Sequence, residues 1–298
     1  MTLIDVNTLF PTEDKCRELL VRLRWPNGPE CPRCKAKVVE LETEKQLFYC
    51  KDCDYQFTVT VGSVFNDSHL PLVKWFIVTL LLCEAKKGIS ACQIQRTLGI
   101  SYKTAWYLCH RIRAAMKEVD QPMLDGTIEM DETFIGGKKK NVSMAEAKES
   151  KEIVVGLRKR GGELRFFHAQ DVKSGTLAKF IKDNISEDFD VLMTDDFASY
   201  PVAMKKAKLN PDQHKTINHS KKIYVVGNIH TNTIENAFSL LKRGIRGSWH
   251  HLSAKHLLSY LDEMTFRFNR RNSDVLFLDT LRHMITAPVL TFQKLTVA

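Results

Sequence analysis

Long apolar stretches are missing from this sequence: its aliphatic runs, such as Trp75 to Leu82, are short and set among charges. A membrane-spanning helix needs about 20 consecutive apolar residues, so no such helix is expected. Nor does the chain open with a charged start, an apolar stretch and a small-residue cleavage site, which leaves a cytoplasmic protein as the expectation. Internal repeats and low-complexity tracts are absent apart from the charged run Lys138 to Lys151, expected to be an exposed loop. Cysteine is also sparse for a disulfide framework: four of the eight (Cys16, Cys83, Cys92 and Cys109) stand singly and read as buried small hydrophobes.

What is present in excess is positive charge, +9 over 298 residues. Lys plus Arg against Asp plus Glu runs 9 to 10 over residues 1–60, 8 to 4 over 61–120, 12 to 13 over 121–190, and 15 to 8 over 191–298. The second and last blocks are therefore the candidate nucleic-acid surfaces, because neutralising phosphates and releasing their counterions is the usual source of such affinity.

The chain divides by pattern into three parts: residues 1–62, which hold paired cysteines; a helical region, 63–120; and an α/β region, 121–298, entered through a linker from Gln121 to Gly126 marked by Pro122 and Gly126. In the last part, Thr127 to Phe134, Glu152 to Arg160 and Glu163 to Val172 are expected strands, the latter two joined by a hairpin at Gly161 and Gly162. A helix from Ser174 to Ile185, a strand from Asp190 to Thr194, a helix from Tyr200 to Ala207 and a strand from Gln213 to Asn218 follow. Two long helices, Thr231 to Arg246 and Ser253 to Arg271, are expected to close the chain.

Cys31-x2-Cys34, fifteen residues, then Cys50-x2-Cys53 is the spacing at which two knuckles offer four thiolates to one tetrahedral Zn²⁺. Four soft ligands close the coordination shell, so the role is structural, and a segment with little core gains folding energy from the metal. Further on, Ser90 can cap a helix carrying Cys92, Ile94 and Leu98 as apolar positions; Gly99 breaks it, and Ser101 can cap a second helix through Arg113. This is a helix-turn-helix pattern, which would present Ser101, Tyr102, Lys103 and Thr104 to the major groove of double-stranded DNA and let Arg111 and Arg113 hold its backbone.

Alternation along Thr127 to Phe134 puts Ile128, Met130 and Phe134 on one face and Thr127, Glu129, Asp131 and Thr133 on the other. Asp195 ends the apolar run Val191-Leu-Met-Thr, with Asp196 its rival; alternation does not choose between them. On the helix from Thr231, Ile234, Phe238, Leu241 and Ile245 form an apolar stripe, and Glu235, Ser239, Lys242 and Arg246 repeat its steps one residue on. That edge, with Arg243 beside it, suits a phosphodiester. Carboxylates Asp131, Asp195 and Glu235 could together hold Mg²⁺ or Mn²⁺, two ions being the arrangement that activates an attacking oxygen and stabilises a leaving one. His250 and His251, beside Trp249, read as surface or packing.

Cys-Pro-Arg-Cys at 31, Glu-Met-Asp-Glu-Thr-Phe-Ile-Gly-Gly-Lys at 129, Thr-Asp-Asp-Phe at 194 and Asn-Thr-Ile-Glu-Asn-Ala-Phe-Ser-Leu-Leu-Lys-Arg at 232 resemble, in that order, the ISXO-like DDE transposases of bacterial insertion sequences. The resemblance spans almost the whole chain. It implies an N-terminal zinc ribbon, an RNase H-like catalytic core within 121–298, Asp131, Asp195 and Glu235 as the acidic triad, and Lys242 as its basic companion. It also implies metal-dependent cleavage at element ends, strand transfer into target DNA, and a homo-oligomer assembled on DNA. The competing readings are a catalytically silent DNA-binding regulator and a structure-specific nuclease.

Overall fold

The computed structural model describes residues 1–40, 47–137, 151–218, 225–250 and 252–297. His251 and most of the charged run Lys138 to Lys151, apart from Lys151 itself, lie outside them. Two compact units emerge: residues 1–117 with 270–298, and residues 118–269. Among the described residues no helix is long and apolar enough to cross a membrane.

The first unit opens with helices α1 (Leu3–Leu9) and α2 (Glu13–Arg24), each capped by a threonine side chain, Thr2 and Thr12. A three-stranded antiparallel ribbon follows, β1 (Val39–Glu40), β2 (Phe48–Cys50) and β3 (Tyr55–Phe57). Then come α3 (Leu72–Glu84), α4 (Ala91–Leu98) and α5 (Tyr102–Ala115). Helices α4 and α5 form the expected helix-turn-helix. Ser90 Oγ accepts from Gln93 N–H at 3.1 Å, Gly99 ends α4 in the left-handed region at φ 62°, and Ser101 Oγ accepts from Thr104 N–H at 3.1 Å.

The chain does not close on two helices in the second unit as the periodicity suggests. Beyond Asn269 it adds α10 (Leu276–Thr286) and α11 (Phe292–Thr296) to the first unit. Leu276, Phe277, Leu281, Met284 and Ile285 are buried on one side of α10, which packs on α2, α3 and α5. The Tyr107 hydroxyl donates to the Leu290 carbonyl at 2.6 Å. The last 29 residues thus belong with the N-terminal modules rather than with the α/β region, because their apolar face is complementary to α3, whose own residues are mostly buried.

The second unit is a five-stranded sheet between two helical layers. In order along the chain it comprises β4 (Leu124–Ile135), β5 (Glu152–Lys159), β6 (Leu164–Ala169), α6 (Ser174–Asn184), β7 (Ile185–Asp195), α7 (Ser199–Ala207), β8 (His214–Ile217), α8 (Asn232–Gly244) and α9 (Ala254–Asn269). The sheet order is β6-β5-β4-β7-β8. β4, β5 and β6 pair antiparallel, and β7 and β8 join parallel to the other side of β4. This is the RNase H-like arrangement. The segment read as a linker is in part β4: Gly126, at φ 70°, makes an irregularity inside the strand, where the register against β7 shifts on either side of it.

Period-two alternation assigns the sheet's faces. Ile128 and Met130 of β4, Val155 and Leu157 of β5, and Leu192 of β7 pack with Leu177 and Ile181 of α6 and Met204 of α7. On the opposite face Val154 and Phe166 pack with Ile234, Phe238 and Leu241 of α8 and Leu257 and Leu261 of α9. The face of β4 that reads as polar in sequence is therefore not a solvated one. It lies under α8.

Candidate active site and zinc ribbon

The four paired cysteines converge, with their Sγ atoms all within 4.8 Å of one another. Cys31 and Cys53 are 3.6 Å apart and Cys34 and Cys50 3.4 Å, close to the roughly 3.8 Å between thiolates around a tetrahedral Zn²⁺ with Zn–S bonds of about 2.3 Å. Both knuckles turn alike: Lys35, after the second cysteine of the first pair, has φ 66°, and Asp54, after that of the second, φ 48°. Burial pushes the Cys31 thiol up, but backbone N–H donation from Cys34 and Arg33 and the neighbouring thiols outweigh it and hold the group at about 6. The Cys53 thiol beside it is pushed up instead, first by burial and then by its neighbours' hydrogen bonds, so of this pair the thiolate is favoured at Cys31. Trp25 and Phe48 meet edge-to-face at 5.1 Å, Phe48 stacks on Phe57, and the Arg33 guanidinium lies 3.5 Å from the Tyr55 ring centroid.

In the helix-turn-helix, Ser101, Tyr102, Lys103 and Thr104 are exposed at the start of α5, with the Lys103 ammonium over the Phe292 ring. Arg111 and Arg113 are not available to a DNA backbone: they are 4% and 1% exposed. Arg111 donates to the Asn66 carbonyl, and its guanidinium lies over the rings of Trp75 and Tyr107. Cys92 also departs from expectation. Cys16, Cys83 and Cys109 are buried, but Cys92 is exposed; two residues from the buried Ile94, it is turned by about 200° to the outer face of α4.

The acidic residues come from three elements. Ile128 pairs with Leu192 and Glu129 with Met193 across the parallel β4–β7 ladder. Continuing that register by two residues sets Asp131 beside Asp195 at the strand ends. Leu192 faces α6 and α7, so alternation sends Asp195, three residues later, to the α8 face that Asp131 shares; Asp196 lies beyond the strand end and is exposed. Glu235 stands in the first turn of α8, where Thr231 Oγ1 donates to it at 2.9 Å.

The charges of Asp195 and Glu235 reach Asp131. Its carboxyl is pushed up to about 7, first by burial and then by the charges of Glu132, Asp195 and Glu235, against a lowering hydrogen bond from Glu132 N–H at 2.8 Å. Asp195 accepts from Phe197 N–H at 3.1 Å. Glu132 points to the other face, accepting at 2.6 Å from the buried Tyr200 hydroxyl, whose own ionisation is pushed well up by burial and by these carboxylates. Tyr200 was expected as a helix residue only.

Close approach of α8 to the sheet depends on Gly156, which pairs with Asp131. A Cβ there would lie 2.7 Å from Ile234 Cδ1 and 2.9 Å from Phe238 Cζ. An isolated glycine in a strand is the one sequence signal that could have exposed this contact.

Along the outer edge of α8 and of the π-helical turn that continues it (Ile245–Trp249), Asn232, Glu235, Asn236, Ser239, Lys242, Arg243 and Arg246 line an open cleft of about 630 Å³. The carboxylate and the cations Lys242 and Arg246 thus share one cleft, as the helical steps suggest. A second cavity of about 390 Å³ adjoins it, where Lys242, Arg246 and His250 meet Phe134, Ile135 and Leu252.

Comparison with known proteins gives these features a family. Residues 123–269 match the ISXO2-like transposase domain, and residues 11–56 the transposase zinc-ribbon domain. An uncharacterized protein in transposable element ISH50 of Halobacterium salinarum is 28% identical over 255 residues, covering 78% of this chain and 83% of the relative. One solved structure, a simian T-cell lymphotropic virus intasome in complex with PP2A regulatory subunit B56 gamma, aligns at 15% identity over 70% of this chain and 71% of the other, with a TM-score of 0.26, too loose to bear on the fold. With both domain models matched in order, and a zinc-ribbon cysteine cluster and an RNase H-like sheet beneath them, the chain belongs to the ISXO2-like transposases that carry an N-terminal zinc ribbon.

Proposed function

We propose that the chain cleaves phosphodiester bonds at the ends of an insertion sequence and joins the freed 3′ ends to target DNA, with Asp131, Asp195 and Glu235 as its metal-binding acids. The observation that carries this reading is the placement of three carboxylates, from two adjacent strand ends and the helix turn that covers them, with Glu235 opening onto a cation-lined cleft and the charges of Asp195 and Glu235 acting on Asp131. The donor set fits Mg²⁺ or Mn²⁺: all oxygen, hard, and in Asp131 held in a setting that disfavours the bare anion. Two such ions, when bound, supply activation of the attacking oxygen and neutralise charge on the leaving one.

The rest is the work of side chains. Lys242 and Arg246, one helical turn apart on the edge that bears Glu235, hold the phosphates on either side of the scissile bond and set the strand against the acids. Arg243 extends the cationic edge. No protein nucleophile is required, since both water and a DNA 3′-hydroxyl can attack phosphorus in line. Ser101, Tyr102, Lys103 and Thr104 read the element ends in the major groove, while the ribbon's single Zn²⁺ holds Cys31, Cys34, Cys50 and Cys53 in a fixed shape. Two ends must be brought together for joining, so the working form is a homo-oligomer on double-stranded DNA, in the cytoplasm with the nucleoid.

The test is cleavage and strand transfer by purified protein on labelled DNA bearing the flanking inverted repeats, in Mg²⁺ or Mn²⁺ against EDTA. Metal-dependent nicks and joined products, absent in Asp131→Asn, are expected. Binding without cleavage in either metal would sink the reading in favour of a regulator.

A further inference from the structure

Glu129 lies two residues before Asp131, on the same face of β4, and is fully buried. A carboxylate removed from water costs several kcal/mol unless partners replace its hydration. Its partners gather around the start of α8. One oxygen accepts from Arg160 Nε at 2.7 Å; the other accepts from the backbone N–H groups of Thr233 at 2.8 Å and Ile234 at 3.0 Å. These are first-turn donors of a helix whose N-cap residue, Thr231, provides no side-chain cap. Thr231 donates to Glu235 instead. The strand therefore supplies the cap that the helix's own sequence lacks, and its negative charge sits at the positive end of the helix.

Arg160 extends the same arrangement. Its Nη1 donates to the Asn228 carbonyl at 2.7 Å, and its Nη2 meets the His230 carbonyl and His230 Nδ1, each at 2.9 Å. A guanidinium only donates, so Nδ1 accepts, and the 3.2 Å approach of Nδ1 to Glu129 is a contact rather than a further hydrogen bond. Arg160 is thus the cationic partner of Glu129. Opposite Glu129 on β5, Arg158 donates to the Thr233 carbonyl at 3.2 Å. Glu129, Arg158 and Arg160 all hold residues 228–234, the run into α8, and none of them lines the cleft.

We propose that Glu129 is a positioning residue: by capping α8 from the strand that carries Asp131, it fixes where Glu235 stands relative to Asp131 and Asp195, and so tunes their hold on a divalent cation. This rests on the reading of those three acids as metal ligands. Glu235 is the next residue after Ile234, the last of the capped amides, so a slip at the cap moves the carboxylate directly. A Glu-x-Asp pair on one strand face thereby couples the cap to the site.

The test is Glu129→Gln in the full chain, beside Asp131→Asn. Glutamine keeps the size but offers one acceptor oxygen, so either the Arg160 bond or the amide cap is lost. Measured would be the thermal transition, Mn²⁺ affinity by calorimetry, amide hydrogen exchange across residues 231–236, and kcat and KM for DNA nicking. Expected is a folded protein with about tenfold weaker Mn²⁺ binding, the loss typical of groups that orient metal ligands. The Thr233 and Ile234 amides should exchange faster, and kcat should fall with KM for DNA within twofold. A folded variant with unchanged Mn²⁺ affinity, whatever its loss of stability, overturns the proposal. Should the glutamine chain not fold, exchange in the wild-type protein decides: rapid exchange at Thr233 and Ile234, as at an uncapped first turn, overturns it, and protection supports it. Unaltered Mn²⁺ binding in Asp131→Asn would instead remove the triad reading itself.

Discussion

The cysteine cluster and the acidic cluster are built in opposite ways. The four thiols lie within 23 residues of chain, in two knuckles that turn alike, and their geometry needs little beyond the ribbon itself. The three acids span 105 residues, from Asp131 to Glu235, and share one face of the sheet only through a parallel register and the close approach of α8 over Gly156. A soft, closed site can be local; a group of hard carboxylates drawn from distant elements borrows its geometry from the whole sheet. The two should therefore fail differently when disturbed.

The sharpest separation is at the acids. Asp131→Asn, Asp195→Asn and Glu235→Gln should each lower cleavage by roughly a thousandfold or more while DNA binding in a gel-shift assay and zinc content stay as in the wild type. Loss of DNA binding along with cleavage would mean that the acids serve the fold rather than the reaction. Next in size is the converse experiment. Cys50→Ser should remove the bound zinc, measured by metal analysis, and melt the ribbon, seen in the near-ultraviolet dichroism of Trp25, since such sites supply folding energy outright. Mn²⁺ affinity of the acidic cluster should be unaffected, and a parallel loss there would abolish the contrast.

How far each site could be read from sequence follows the same division. The cysteine spacing and the cap-glycine-cap pattern Ser90, Gly99, Ser101 are local, and both are found where the residues put them. Between Thr127 and Asn269 the order of strands and helices was legible from periodicity, as was the edge of α8 that carries Glu235 and Lys242, but the helices before the cysteines and after Asn269 were not. Phase was less so: Arg111, Arg113 and Cys92 lie on helices of the right extent but on faces that only tertiary packing selects. Glu129 shows the limit most clearly. Alternation groups it correctly with Asp131, but a strand's pattern cannot say that a helix starting a hundred residues later covers that face and takes the carboxylate as its cap. Likewise the choice between Asp195 and Asp196 needs the β4–β7 register, which is a property of the sheet.

Smaller effects probe the supports of the acidic site. Gly156→Ala should cost about 1–3 kcal/mol in stability, the usual range for overpacking, because Ile234 and Phe238 must retreat from the new Cβ. Since α8 moves with them, nicking should fall more than stability alone explains; a stable variant with full activity would show that the helix has room to spare. Lys242→Ala should weaken DNA binding about tenfold and reduce the slope of log affinity against log salt by about 1, as expected for one lost phosphate contact. An unchanged slope would take Lys242 off the phosphate backbone.

One further effect is specific to Asp131. Its carboxyl is raised from 3.8 to about 7 in the folded chain, so between those limits the native state holds a proton that the unfolded state has lost. Stability from this group therefore falls as pH rises through that window. Asparagine has the same shape and no charge to bury. Without divalent metal, Asp131→Asn should melt several degrees above the wild type at pH 8, and the gap should close towards pH 3, below the unfolded value of 3.8, where the aspartate is protonated in both states. Adding Mn²⁺ at pH 8 should reverse the order, because only the wild-type site binds the ion and is stabilised by it. A metal-free asparagine variant that melts lower at pH 8 would mean that the Asp131 charge is well solvated, so that neither burial nor the neighbouring carboxylates penalise its ionisation.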